Sequence, residues 1–170
     1  MPKDIIKKDI PEIEVLLKKA LNVCTYKELS RMGGLTNHTY KVVLENGEEY
    51  VVRIPGEGTE EMIVRNDEMI STKLACELGV DAELLYFDKS GAKVTKYISN
   101  AITMSAEELK KPHHIEQIAN IFKKMHTCGK DTKVPFEVFD MAKGYEKIIF
   151  DNGTVDVRSF GWSGADQADT

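Results

Sequence analysis

The sequence predicts an α+β fold, a five-stranded antiparallel sheet with one helix between its third and fourth strands, followed by further helices. Three observations predict it. In "HTYKVVLENGEEYVVRIPG" (38–56) two strand-like runs flank Asn46-Gly47, the strongest short-range hairpin signal a sequence offers. The apolar period then becomes helical from Glu60 to Leu78, where Ile63, Ile70, Leu74 and Leu78 share one face. A second pair of strand-like runs follows, and beyond it the pattern is helical to about residue 150.

The elements follow in order. Residues 1–24 form a leading helix, with Ile13, Leu16, Leu17, Ala20 and Leu21 at helical spacing and Asp9 placed as its cap opposite Glu12 in a capping box. "TYKELSRM" (25–32) reads as the first strand, and a long, small turn, "GGLTN" (33–37), leads into the second. After the Asn46-Gly47 hairpin and the third strand comes the helix over 60–78, with Gly79 where a left-handed terminating residue belongs. "AELLYFD" (82–88) and "AKVTKYI" (92–98) pair through the turn "KSG", completing a sheet unit over residues 25–100. Residues 101–150 are helical: Ser105 opens an S-A-E-E capping box ending at Glu108, and Pro112 starts an amphipathic helix carrying Ile115, Ile118, Ala119, Phe122 and Met125 to about His126. "FDMAKGYEKIIF" predicts one more short helix, with Tyr145, Ile148 and Ile149. Residues 151–170, rich in Gly, Asp, Ser and Ala, have no sustained period and read as an irregular tail.

Composition narrows the function. The 170 residues suffice for a real core, and a formal net charge of -5 argues against general nucleic-acid binding, which needs clustered Lys and Arg. Cys24, Cys76 and Cys128 are odd in number and lack a C-x-x-C pair, so neither a disulfide framework nor a zinc site is indicated. No run approaches the ~20 apolar residues of a membrane span, and no signal-peptide stretch opens the chain, so a reducing cytoplasm is the expected home.

The chemistry-bearing residues cluster around the first three strands. A turn without side chains lets backbone N–H groups approach an anion, so Gly33 and Gly34 are candidates to cover phosphates, with Thr36 and Asn37 adding a hydroxyl and an amide. In "YVVRIPG" Arg53 lies inside an apolar run, where a charge is costly unless compensated. It shares a strand face with Val51, and its fork suits phosphate oxygens. The following helix offers acids to hold it: Glu68 lies beside the apolar stripe, with Asp67 and Glu77 as alternatives. Arg65, three residues before Glu68, would compete for the same carboxylate. The run from the fifth strand into its connection, Thr95, Lys96, Tyr97 and Ile98, is positioned to offer backbone groups to an adenine edge.

This order of elements resembles a protein-kinase-like small lobe. "GGLTNHTYKV", "YVVRIPG", "NDEMISTKLACELGV" and "IANIFKKMHT" together resemble the choline/ethanolamine kinase family, especially its bacterial choline-kinase branch, within the aminoglycoside-phosphotransferase-like superfamily. The resemblance covers about residues 20–150. It implies ATP and Mg²⁺ as cofactors, and choline or a related amino alcohol as the substrate of a complete protein. By position it implies that Gly33, Gly34, Thr36 and Asn37 cover the ATP phosphates, that Arg53 takes the place of the usual kinase lysine, and that Glu68 pairs with it. His126 matches a helix-ending histidine of structural role.

The catalytic loop of that family has no counterpart here. None of the four histidines, His38, His113, His114 and His126, begins an H-x-D motif, since Tyr40, Ile115, Glu116 and Cys128 stand two positions later. Ser159-Phe160-Gly161 echoes D-F-G only by coincidence, with Ser in the position of the metal-binding Asp and no catalytic loop before it. No catalytic residue and no metal ligand is therefore assigned in this chain. The expectation is a small lobe with the first helices of an incomplete large lobe, shortened in cloning, by a frameshift or by an incomplete gene. Two alternatives stand beside it: a non-catalytic nucleotide-binding or interaction module, self-associating through the face a large lobe would cover, and a kinase for an aminoglycoside or another small molecule.

Overall fold

The computed structural model describes residues 5–34, 37–59, 63–135 and 137–151. The chain divides into two compact units, residues 1–134 and 135–170. In the first, helix α1 (Ile10–Leu21) precedes strands β1 (Glu28–Gly33), β2 (Asn37–Val43) and β3 (Glu49–Pro55). Helix α2 (Arg65–Glu77), strands β4 (Leu84–Phe87) and β5 (Lys93–Lys96) and helix α3 (Pro112–His126) complete it. In the second, the described structure is helix α4 (Val138–Asp151). The five strands are antiparallel in the order β1-β2-β3-β5-β4, with α2 between the third and fourth in sequence, the predicted α+β architecture.

Strand alternation gives the sheet two unlike faces. Along β3, Tyr50, Val52 and Ile54 are buried while Val51 and Arg53 are half-buried. The first set, with Tyr40, Val42 and Val94, packs against Ile13, Leu16 and Leu17 of α1 in one apolar core. The leading helix is thus an integral layer of the sheet. Pro11 occupies its first turn and Asn22, with φ 59°, ends it in the left-handed conformation.

Asp9 does not cap α1. Its own backbone is helical and its carboxylate makes no capping bond. It is buried, accepting a 2.5 Å hydrogen bond from the Tyr40 hydroxyl, with His38 Nδ1 2.7 Å from the same oxygen. Tyr40 is fully buried, and its phenol needs an acceptor that no apolar neighbour can supply. Burial, reinforced by that hydrogen bond, pushes the Tyr40 pKa up to about 12. The Asp9 N–H that Glu12 was expected to cap donates to the Ile6 carbonyl instead.

The turns refine the pattern. Asn46-Gly47 does not form a two-residue turn: Gly47, at φ 84°, donates to the Leu44 carbonyl, and Leu44 donates to Glu48, giving a three-residue loop. Asp88–Ala92 repeats this geometry around Gly91, at φ 92°. Helix α2 starts at Arg65 because Val64 is extended, so Ile63 lies outside the stripe it was expected to join. At its far end Gly79, at φ 64°, donates to Cys76 and Val80 to Ala75, closing the expected left-handed terminus. Ser105 Oγ accepts from Glu108 N–H at 3.2 Å as expected, but only a single 3-10 turn follows. Helix α3 leaves Ile115, Ile121, Phe122 and Met125 exposed. Among the described residues no helix is long and apolar enough to cross a membrane.

Candidate functional site

The face of the sheet opposite α1 carries the candidate residues. Register places Gly33 beside Thr39, Thr39 beside Arg53, Arg53 beside Lys93 and Lys93 beside Phe87, one row across all five strands. The next row runs through Lys41, Val51, Thr95 and Leu84. The first row carries two cations, Arg53 and Lys93, and the second carries two aliphatic side chains, Val51 and Leu84.

Arg53 and Glu68 meet as expected: Arg53 Nη2 pairs with Glu68 Oε1, both side chains being more than four-fifths buried. The same nitrogen donates to the Gly91 carbonyl at 2.7 Å. Arg65 does not displace Arg53 from the carboxylate. It uses the other oxygen, Nη1 donating to Glu68 Oε2 at 2.9 Å, while its Nη2 donates to Thr59 Oγ1 at 2.5 Å. Burial opposes ionisation of Glu68, but the hydrogen bonds from Arg65 and Arg53 outweigh it and hold the pKa below the ordinary carboxylate value. The two alternative acids are elsewhere: Glu77 pairs with Lys130 at the surface, and Asp67 has no ion pair among the described residues.

The two glycines of the first turn differ. Gly34 has φ 116°, and a Cβ there would lie 2.2 Å from the Asn37 carbonyl oxygen, so the turn itself requires a glycine. Among the described residues a Cβ at Gly33 would meet nothing within 4 Å. Asn37 begins β2 on the same face, while Thr36 lies outside the described residues.

Of the residues expected to offer backbone groups, Thr95, Lys96, Tyr97 and Ile98, two have their N–H groups engaged. Lys96 N–H donates to Glu83 and Tyr97 N–H to Glu49, so the sheet has consumed both donors. Thr95 is buried within β5. Ile98 is exposed beyond the strand, and its N–H has no backbone partner among the described residues.

Three residues escaped the sequence reading. Lys93 adds a half-buried cation beside Arg53, its pKa lowered by burial first and by the Arg53 charge second. Thr39 and Gly91 frame Arg53 from either side. Period-2 counting back from Thr95 places Lys93 on the same face, a signal present in "AKVTKYI". Gly91 carried none, since its own carbonyl gains its role only when an arginine from another hairpin arrives to donate to it.

The fold is that of the protein-kinase-like phosphotransferases. The sequence profile of the choline/ethanolamine kinase family matches residues 30–156, and the chain belongs to that family. It is 29% identical over 121 residues to Protein LicA of Haemophilus influenzae, covering 71% of this chain and 35% of that protein. The crystal structure of choline kinase LicA from Streptococcus pneumoniae aligns with a TM-score of 0.67 at 32% identity, covering 81% of this chain and 49% of that one. LicA in complex with AMP aligns with a TM-score of 0.68 at 31% identity, covering 81% of this chain and 48% of that one. The chain thus spans about a third of the length of the curated relative and about half of these solved structures.

Proposed function

We propose that this chain forms the nucleotide-binding part of an ATP-dependent phosphotransferase of choline-kinase type, whose acceptor is the hydroxyl of choline or a related amino alcohol. The observation that carries this reading is the Arg53–Glu68 pair, set on the sheet face opposite the core and in one row with the glycine turn. A desolvated guanidinium anchored on one side by a carboxylate is preorganised for phosphate oxygens, because little rotamer freedom remains to be lost on binding. In this reading the open space at Gly33 admits the phosphates to backbone N–H groups, Thr36 and Asn37 add polar contacts, and Arg53 takes an oxygen. The row through Val51 and Thr95 lies under the adenine, with the Ile98 N–H and the Lys96 carbonyl as its edge contacts. Family membership and the AMP-bound relative support the nucleotide assignment.

Phosphoryl transfer of this kind uses Mg²⁺ to neutralise developing charge. Among the described residues no three His, Cys, Asp or Glu side chains converge to hold a metal ion. These residues do not fit one, and the metal ligands, the acceptor-orienting Asp and the choline-binding groups would lie in the part of the relatives that this chain does not span.

Calorimetric titration of the chain with ADP and ATP tests the proposal. Saturable binding that weakens strongly in Arg53→Ala, and less in Glu68→Gln, is the expected result. Equal binding with and without Arg53 would falsify the role given to it. A second reading is a nucleotide-binding module without catalysis. Choline phosphorylation by the chain itself would exclude that reading, whereas binding without turnover would favour it.

A further inference from the structure

We propose that Arg65 is a positioning residue for Arg53, acting through Glu68, and that the β4–β5 turn at Gly91 holds both arginines in place. This rests on the reading of Arg53 as the phosphate-binding cation.

Arg65 is the first residue of α2, where a cation faces the unfavourable end of the helix dipole. Its side chain is nonetheless about nine-tenths buried and bound at both terminal nitrogens, to Glu68 and to Thr59. Thr59, itself buried, passes the connection on by donating from Oγ1 to the Gly56 carbonyl at 2.8 Å, just beyond the end of β3. Arg65 therefore ties the start of α2 to the strand that carries Arg53.

Glu68 shows what this achieves. With Arg53 alone the carboxylate could turn about its side-chain torsions and surrender the pair to solvent. With each oxygen committed to a different guanidinium, only one orientation satisfies both. Two arginines around one carboxylate also leave an excess positive charge, to which Lys93 adds, and an anionic ligand would be drawn to it.

Gly91 closes the arrangement. Its carbonyl accepts from Arg53, and a Cβ at this position would lie 2.7 Å from Arg65 Cδ, 2.8 Å from Nε and 2.9 Å from Cζ. The positive φ alone would favour glycine for the turn. The contact with Arg65 is a separate requirement, because any side chain would push that guanidinium from its place.

The test compares Arg65→Gln, Arg65→Lys and Gly91→Ala with the parent chain. It reads the side-chain guanidinium NMR signals of Arg53 without ligand, and the affinity for ADP. A held Arg53 shows restricted rotation about its Nε–Cζ bond. Arg65→Gln should average those signals and weaken ADP binding roughly tenfold, the order expected for losing one charge-assisted hydrogen bond. Gly91→Ala should reproduce the effect, and Arg65→Lys, which keeps a charge near Glu68, should restore part of it. A purely structural Arg65 would change the unfolding midpoint and leave the Arg53 signals of the folded protein as they were, and that result would overturn the proposal. If any variant fails to fold, the remaining two decide by the same signals. Absence of ADP binding by the parent chain would remove the nucleotide reading, while the Arg53 signals would still decide whether Arg65 positions it.

Discussion

The two faces of the sheet are built from alternate residues of the same strands, yet they solve opposite problems. Toward α1, Tyr40, Val42, Val52 and Val94 are fully buried against Ile13, Leu16 and Leu17, and the polar Asp9 accepts from the one buried phenol among them. Toward α2, the same strands present Thr39, Lys41, Arg53, Lys93 and Thr95, and most of these remain half-buried. The first face contributes stability by removing apolar area from water. The second holds cations partly desolvated, which costs stability unless carboxylates compensate.

The largest expected effect breaks the first face. Leu17→Ala should lower unfolding free energy by about 2–5 kcal/mol, the range for deleting a buried leucine side chain, while the folded fraction keeps its ADP affinity. Urea denaturation followed by titration at low temperature would measure both. A matching loss of affinity in fully folded protein would mean that the faces are not separable.

Next in size is the converse. Arg53→Ala should cost roughly 10- to 100-fold in ADP affinity, the range for a hydrogen bond to a charged group. Its effect on stability should be small, since Glu68 retains Arg65. A severe fall in the unfolding midpoint would show that the pair stabilises the fold more than it prepares a site.

The glycine turn sharpens the comparison within one loop. Gly34→Ala should destabilise the protein by about 1–3 kcal/mol, because it forces a side chain into a left-handed backbone and against the Asn37 carbonyl. Gly33→Ala should leave the unfolding midpoint nearly unchanged and weaken ADP binding. If both variants behave alike in thermal melts, the space at Gly33 is needed by the fold and not by a ligand.

The smallest effects are in pH dependence, and the two faces should differ in sign. Glu68 has its pKa lowered in the fold, so its contribution is present above the ordinary value of 4.5 and is lost as pH falls through the folded value. Tyr40 has its pKa raised, so its contribution is complete below 10.0 and is lost as pH rises toward about 12. Glu68→Gln should flatten the acid limb of the stability profile and Tyr40→Phe the alkaline limb. Exchange of those two assignments in denaturation curves would contradict the structure.

Much of this was legible beforehand, and the reason is local. The strands, both hairpins, α2 and α3 follow from apolar period and turn residues, which act over a few positions. Arg53 was conspicuous as a charge in an apolar run, and Glu68 as an acid beside a helical stripe. The sequence also determined the family, through motifs spread along the chain. Only the tertiary structure decided the partners. Asp9 satisfies every local rule for a helix cap, but a buried phenol 31 residues away outweighs an exposed backbone N–H. Arg65 reads locally as a rival for Glu68 and becomes its second anchor, because a carboxylate has two oxygens and the chain brings a guanidinium to each. The Lys96 and Tyr97 donors read as available until neighbouring strands take them. Gly91 reads as a turn residue, and its second role exists only where two arginines from other elements arrive at the same turn. Period and propensity are properties of neighbours along the chain, whereas hydrogen-bond satisfaction in a desolvated interior depends on which distant groups the fold brings together.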